Sequence, residues 1–115
     1  MVRLTVNSKH SHNIELITIV TESVLKERLI QDLRRLGIRG WTITAAQGEG
    51  PRNRRVSEVD GGNIRVEVLA DPQSIERIWQ LLNDSYFSNY AVAAWQTSVL
   101  VSRPDRYTVT DSSET

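Results

Sequence analysis

The segment NIRVEVLADPQSIERIWQLL, residues 63–82, changes its hydrophobic period once, and that change decides the fold. Asn63 to Leu69 alternates strictly. Ile64, Val66 and Val68 share one face while Arg65 and Glu67 share the other, the pattern of a strand with one buried side. Asp71-Pro72 then interrupts the alternation. An aspartate can accept hydrogen bonds from the free N–H groups of a helix start, and proline suits the first helical turn. Beyond it Ile75, Ile78, Trp79 and Leu82 recur at helical spacing. A strand that passes straight into a helix is the opening of a βαβ unit.

The same order occurs upstream. Ile14 to Thr21 (IELITIVT) is apolar or β-branched at nearly every position, as a strand covered on both faces would be. Thr21 or Ser23 can cap the helix that follows, with Glu22 and Glu27 near its positive end. Leu25, Leu29, Leu33 and Leu36, widened by Ile30, form its apolar stripe. Lys26, Arg28, Asp32, Arg34 and Arg35 fall mostly outside that stripe. Gly37 takes the usual terminating position. Trp41 to Gln47 (WTITAAQ) is a second strand and Ala91 to Val101 (AVAAWQTSVLV) the last, reached through the aromatic, polar connection Asn83 to Tyr90. The order strand, helix, strand, strand, helix, strand predicts an α+β, ferredoxin-like βαββαβ sandwich. Two helices should cover one face of a four-stranded antiparallel sheet, with right-handed crossovers. Residues 1–13 are expected to form a flexible leader, 14–101 the single domain, and 102–115 a polar tail.

Composition narrows the function. With 115 residues there is room for one core. Fourteen basic and fourteen acidic side chains cancel, so no global field draws nucleic acid or an acidic membrane. The chain has no cysteine, which removes disulfides, thiolate catalysis and thiolate metal sites. No apolar run approaches a bilayer span and the N-terminus lacks a signal-peptide core, so a cytoplasmic protein without membrane insertion is expected. His10 and His12 are too few ligands for zinc. Glu22, Glu27 and Asp32 read as solvated helix charges. No Ser-His-Asp set has supporting context, and no enzyme is expected.

The pattern breaks down between Gly48 and Gly62 (GEGPRNRRVSEVDGG), where four glycines, one proline and six charged residues leave nothing to bury. A loop this long in a small domain is more often functional or mobile than neutral. Within it, Gly48-Glu49-Gly50-Pro51-Arg52-Asn53-Arg54-Arg55 offers backbone N–H groups that an anion can approach closely, and guanidinium forks matched to phosphate. A solvated basic loop fits the same composition equally well. It is not a Walker loop, because no Gly-Lys-Ser/Thr follows. Trp41, Trp79 and Trp95 suit core or interface, with Trp41 able to border a cleft beside Thr42. Tyr86, Phe87 and Tyr90 suit either stacking on a base or packing on the sheet. RNA-recognition modules share this strand order, but they display aromatic rings on the central strands, and neither ITIV nor NIRVEVL holds one.

The strings LITIVTE, GWTI, GEGPRNRR, NIRVEVL and YFSNYA resemble the PII-like signalling proteins, above all the branch tied to bicarbonate uptake and carboxysomes (the SbtB type). The resemblance implies a homotrimer with adenine nucleotides (AMP, ADP, ATP or cyclic AMP) in clefts between subunits, and bicarbonate as a further ligand. It also implies a T-loop, here 48–62, that reorders with the ligand and engages a partner protein in carbon or nitrogen metabolism. By the same resemblance Val20 would wall the base pocket and Thr42 would set a hydroxyl beside adenine or ribose. Gly48 and Gly50 would present N–H groups at the loop base. Arg52 and Arg55, flanking Asn53, would hold phosphate. Glu67 and Leu69 would approach the nucleotide from the third strand, and Tyr90, Ala91 and Val92 would close the cleft. Arg103 and Arg106 fall near the family's C-terminal basic residues, with Pro104 between them. The chain departs from the family at Val92, where the bicarbonate branch has glycine, and at Asn63, where PII proteins carry lysine. It also lacks the C-terminal cysteine pair, so a redox-gated switch is not implied. Two alternatives remain: a ferredoxin-like regulator of a non-nucleotide small molecule, and an RNA-binding module.

Overall fold

The computed structural model describes residues 14–48 and 62–108. Strand β1 (Ile14–Glu22) runs through a single 3-10 turn, Ser23–Leu25, into helix α1 (Lys26–Arg35). Strands β2 (Thr42–Ala46) and β3 (Asn63–Ala70), helix α2 (Pro72–Ser85) and strand β4 (Val92–Val99) follow, then a 3-10 turn at Pro104–Arg106. The sheet order is β2-β3-β1-β4 with every neighbouring pair antiparallel, which is the ferredoxin-like arrangement.

The register assigns each side chain to a face. Ile17 lies opposite Val68, Ile19 opposite Val66 and Thr21 opposite Ile64, so these six point to the helix side together. There they meet Leu29 and Leu33 of α1 and Ile75, Ile78 and Leu82 of α2 in one core. The other face of β1 is also covered in part. Ile14 and Thr18 are buried there, and Leu16 and Val20 are half-buried. Thr18 sits in register between Glu67 and Trp95, and its hydroxyl has no hydrogen-bond partner.

Local chemistry ends the helices as expected in two places. The Asp71 carboxylate accepts from the Ser74 N–H at 2.8 Å, with Pro72 in the first turn of α2. Gly37, at φ +82°, closes α1 with two backbone bonds, Gly37 N–H to the Arg34 carbonyl at 2.9 Å and Ile38 N–H to the Leu33 carbonyl at 3.0 Å. That pairing needs the left-handed conformation a side chain resists. Buried Ile38 belongs to the same core as Leu33.

Four expectations need correction. Neither Thr21 nor Ser23 caps α1: the Thr21 hydroxyl donates to the Ala91 carbonyl at 3.0 Å, because β4 pairs beside it. Asp32 is not solvated. It is 7% exposed, since the stripe of α1 rolls far enough for Tyr86 to reach it. The C-terminal stretch is not wholly polar tail, because Pro104 is buried and starts a turn. The outer strands are also shorter than the periodicity suggested, β2 ending at Ala46 and β4 running from Val92 to Val99. Among the described residues no helix is long and apolar enough to cross a membrane.

Candidate functional site

On the face of the sheet away from the helices, a cavity of about 540 Å³ opens beside the β2 edge. Its floor is Leu16 of β1 with Glu67 and Leu69 of β3. Thr42 of β2 and the Ile38–Trp41 connection form one wall, and Arg106 and Tyr107 form another. Register explains the floor, because Leu16 pairs with Leu69 and Thr42 pairs with Glu67, so apolar and polar groups arrive in adjacent rows. The Arg34 guanidinium lies 5.6 Å from the Trp41 ring centre and backs that indole. Arg65 reaches Glu67 at 3.5 Å. Leucine floor, aromatic walls, the hydroxyls of Thr42 and Tyr107, one carboxylate and the guanidiniums of Arg39 and Arg106 suit a flat, polar-edged ligand carrying an anionic group.

Three of the sequence-predicted residues, Thr42, Glu67 and Leu69, thus line one cavity. Others gather elsewhere. Val20 lies on the same face two residues farther along β1 than Thr18, paired with Arg65 and Ala93. Tyr90, Ala91 and Val92 lead into β4, the opposite edge of the sheet. Val92 pairs with Thr21 on the helix side and packs against the core, so its side chain does not face the cavity side. Gly48 stands in open space after β2. Gly62, at φ +81°, begins the return, its carbonyl accepting from the Ser23 N–H at 3.0 Å. Gly50, Arg52, Asn53 and Arg55 lie outside the described residues.

Edge strands β2 and β4 are three strand spacings apart, about 14 Å at the usual 4.7–4.9 Å each. Among the described residues, therefore, the Tyr90–Val92 group lies outside the cavity that Thr42, Glu67 and Leu69 line. Sequence reasoning named Trp41 as a possible border, and it is one. Leu16, Arg39 and Tyr107 were missed. Arg106 had a signal in its position near the C-terminus, but only the turn started by Pro104 brings it to the cavity, with Tyr107 N–H bonded to the Pro104 carbonyl at 3.0 Å.

A second cluster sits on the helix side. Tyr86, 1% exposed, donates its hydroxyl to Asp32 Oδ2 at 2.7 Å, and Asp32 Oδ1 accepts from Arg35 at 3.0 Å. Burial first, then the Asp32 hydrogen bond and charge, push the Tyr86 phenol well above its ordinary range. At the other end of the sheet Glu15 accepts from Gln96 and Ser98, which hold its carboxyl below the usual range. Gln96 in turn accepts from the Trp79 indole at 2.6 Å, tying α2 to β4 and β1.

One antiparallel sheet under two helices, with a ligand-sized cavity on its open face, defines a ferredoxin-like binding domain. The profile of nitrogen regulatory protein P-II matches residues 14–106, and the chain belongs to that family of regulatory, non-enzymatic signalling proteins. A candidate PII-like signalling protein from Thermus thermophilus is 41% identical, with 84% of this chain and 96% of that one covered at a TM-score of 0.72. CPII from Thiomonas intermedia, in its structure bound to ADP and bicarbonate, shares the fold at 18% identity and a TM-score of 0.74, covering 84% and 95% of the two chains. Another structure of CPII holds ADP, AMP and acetate, at 18% identity and a TM-score of 0.70, covering 84% and 96%.

Proposed function

We propose that this chain forms a homotrimer that binds an adenine nucleotide in each cleft between subunits and signals through loop 48–62 to a partner protein. The division of its candidate residues between two sheet edges carries the reading. A head-to-tail association closing into a ring would set the β4 edge of one subunit beside the β2 edge of the next. It would unite Tyr90 and Ala91 of one chain with Thr42, Glu67 and Leu69 of its neighbour, on whose β2 edge Gly48 also lies. The cavity, about 540 Å³, lies within the usual 300–1,000 Å³ of small-ligand sites. Its leucine floor and aromatic walls suit a purine, Glu67 suits ribose hydroxyls, and Arg52, Arg55 and Arg106 suit phosphate.

Occupancy acts by population shift: the nucleotide favours whichever loop state it contacts better, and the partner reads that state. The ADP and bicarbonate in CPII support a carbon-linked ligand pair here, as does the likeness of GEGPRNRR to the bicarbonate and carboxysome branch. The RNA-recognition alternative lacks its stacking platform, because central strands β1 and β3 contain no aromatic residue.

Calorimetric titration with AMP, ADP, ATP and cyclic AMP, each with and without bicarbonate, tests the ligand, and light scattering tests the assembly. Saturable binding of one of these by a trimer is expected. A monomer, or no heat from any nucleotide, would overturn the reading.

A further inference from the structure

The connection between α2 and β4 exposes Phe87, Ser88 and Asn89, yet it is fastened at several points. At its start Tyr86 and Phe87 N–H groups bond to the Leu82 carbonyl at 3.0 and 2.8 Å. At its end the Ala91 carbonyl accepts from Thr21. Between them one side chain from another helix reaches across. Arg28 of α1 donates through Nη1 to the Tyr90 hydroxyl at 2.7 Å and through Nη2 to the Ser85 carbonyl at 3.4 Å. Its guanidinium carbon also lies 4.8 Å from the Tyr86 ring centre and 5.3 Å from that of Tyr90. The two rings are 6.0 Å apart and tilted at 53°, so the cation is shared between them. Asp32 stands behind, 4.0 Å from Arg28 Nε and bonded to Tyr86.

A planar fork that meets one carbonyl, one hydroxyl and two ring faces restrains position far better than a single contact. We propose that Arg28 is a positioning residue that holds Tyr90 and Ala91 in place for ligand binding, without touching the ligand itself. The inference rests on the proposed nucleotide cleft, to which Tyr90 and Ala91 belong. Arg28 lines no part of the cavity and its side chain is 44% exposed, so it acts on the connection from outside, touching the core only at the Tyr86 ring.

The full-length Arg28→Gln variant tests it, with Arg28→Lys as the conservative partner and Glu27→Gln, an exposed neighbour, as control. If the connection occupies its binding position only a tenth of the time in Arg28→Gln, ADP affinity measured by calorimetry falls about tenfold. Hydrogen exchange at the Asn89 and Tyr90 amides, both bonded to the Tyr86 carbonyl, should quicken in the ligand-free variant while the urea midpoint stays near that of the parent. Arg28→Lys should restore part of both, and Glu27→Gln should alter neither. Equal ADP affinity in Arg28→Gln and parent, or unchanged exchange at those amides, overturns the positioning role while leaving the nucleotide cleft standing. Absence of ADP binding by the parent protein overturns the cleft itself, and this inference with it.

Discussion

Replacing Tyr86 by phenylalanine removes one oxygen from the best-buried polar contact between α1 and the end of α2. The ring is 1% exposed and stays, so no cavity opens and the loss is that of the hydrogen bond. The bond is 2.7 Å long and its acceptor is a carboxylate, a type worth about 1.5–3 kcal/mol. Asp32 keeps Arg35 at 3.0 Å, and its side chain is still 10% exposed, so water can reach part of it. Both facts favour the lower end, about 1.5–2 kcal/mol. Urea unfolding at fixed protein concentration should show a lower midpoint, by roughly 1 M, with an unchanged slope. A double-mutant cycle with Asp32→Ala should give a coupling of about 1 kcal/mol or more between the two side chains. Additive single effects, or a Tyr86→Phe midpoint equal to the parent, would refute the view that this pair joins the helices.

Alkaline titration gives a companion test. The phenol of Tyr86 is raised in the folded state, so its stabilising contribution is complete below the unfolded value of about 10 and fades as pH climbs toward the folded one. The parent should lose stability above about pH 10 more steeply than Tyr86→Phe, followed by urea midpoints across that range. Gly37→Ala should cost about 1 kcal/mol, because φ +82° is unfavourable for a side chain even though nothing crowds the site. A thermal melt identical to the parent would contradict the two-bond helix ending at Gly37. Glu67→Gln should weaken AMP and ADP alike, whereas Arg55→Ala should weaken ADP more than AMP, each by about 1.5–3 kcal/mol for a charged hydrogen bond. Calorimetry that showed the reverse ranking would exchange the sugar and phosphate ends of the cleft.

Periodicity in the chain was enough to specify six elements and their order. The alternation of Ile64, Val66 and Val68, the Asp71 cap and the Gly37 ending are all contests between near neighbours, and the backbone settles them locally. The glycine-arginine run likewise announced its chemistry through residue type alone. What neighbours could not decide was which distant group each side chain would meet. Asp32 reads as a surface charge until Tyr86, fifty-four positions on, supplies the hydroxyl that makes its burial tolerable. Thr21 reads as a helix cap until β4 brings the Ala91 carbonyl within reach. Arg106 joins Thr42, Glu67 and Leu69 only after the chain has crossed the sheet and turned at buried Pro104. Strand order also placed β2 and β4 at opposite edges, parting one set of candidate residues into two. Spacing along a chain carries local geometry, but burial of a polar group and the closure of a site depend on partners that only the packed sheet and helices bring together.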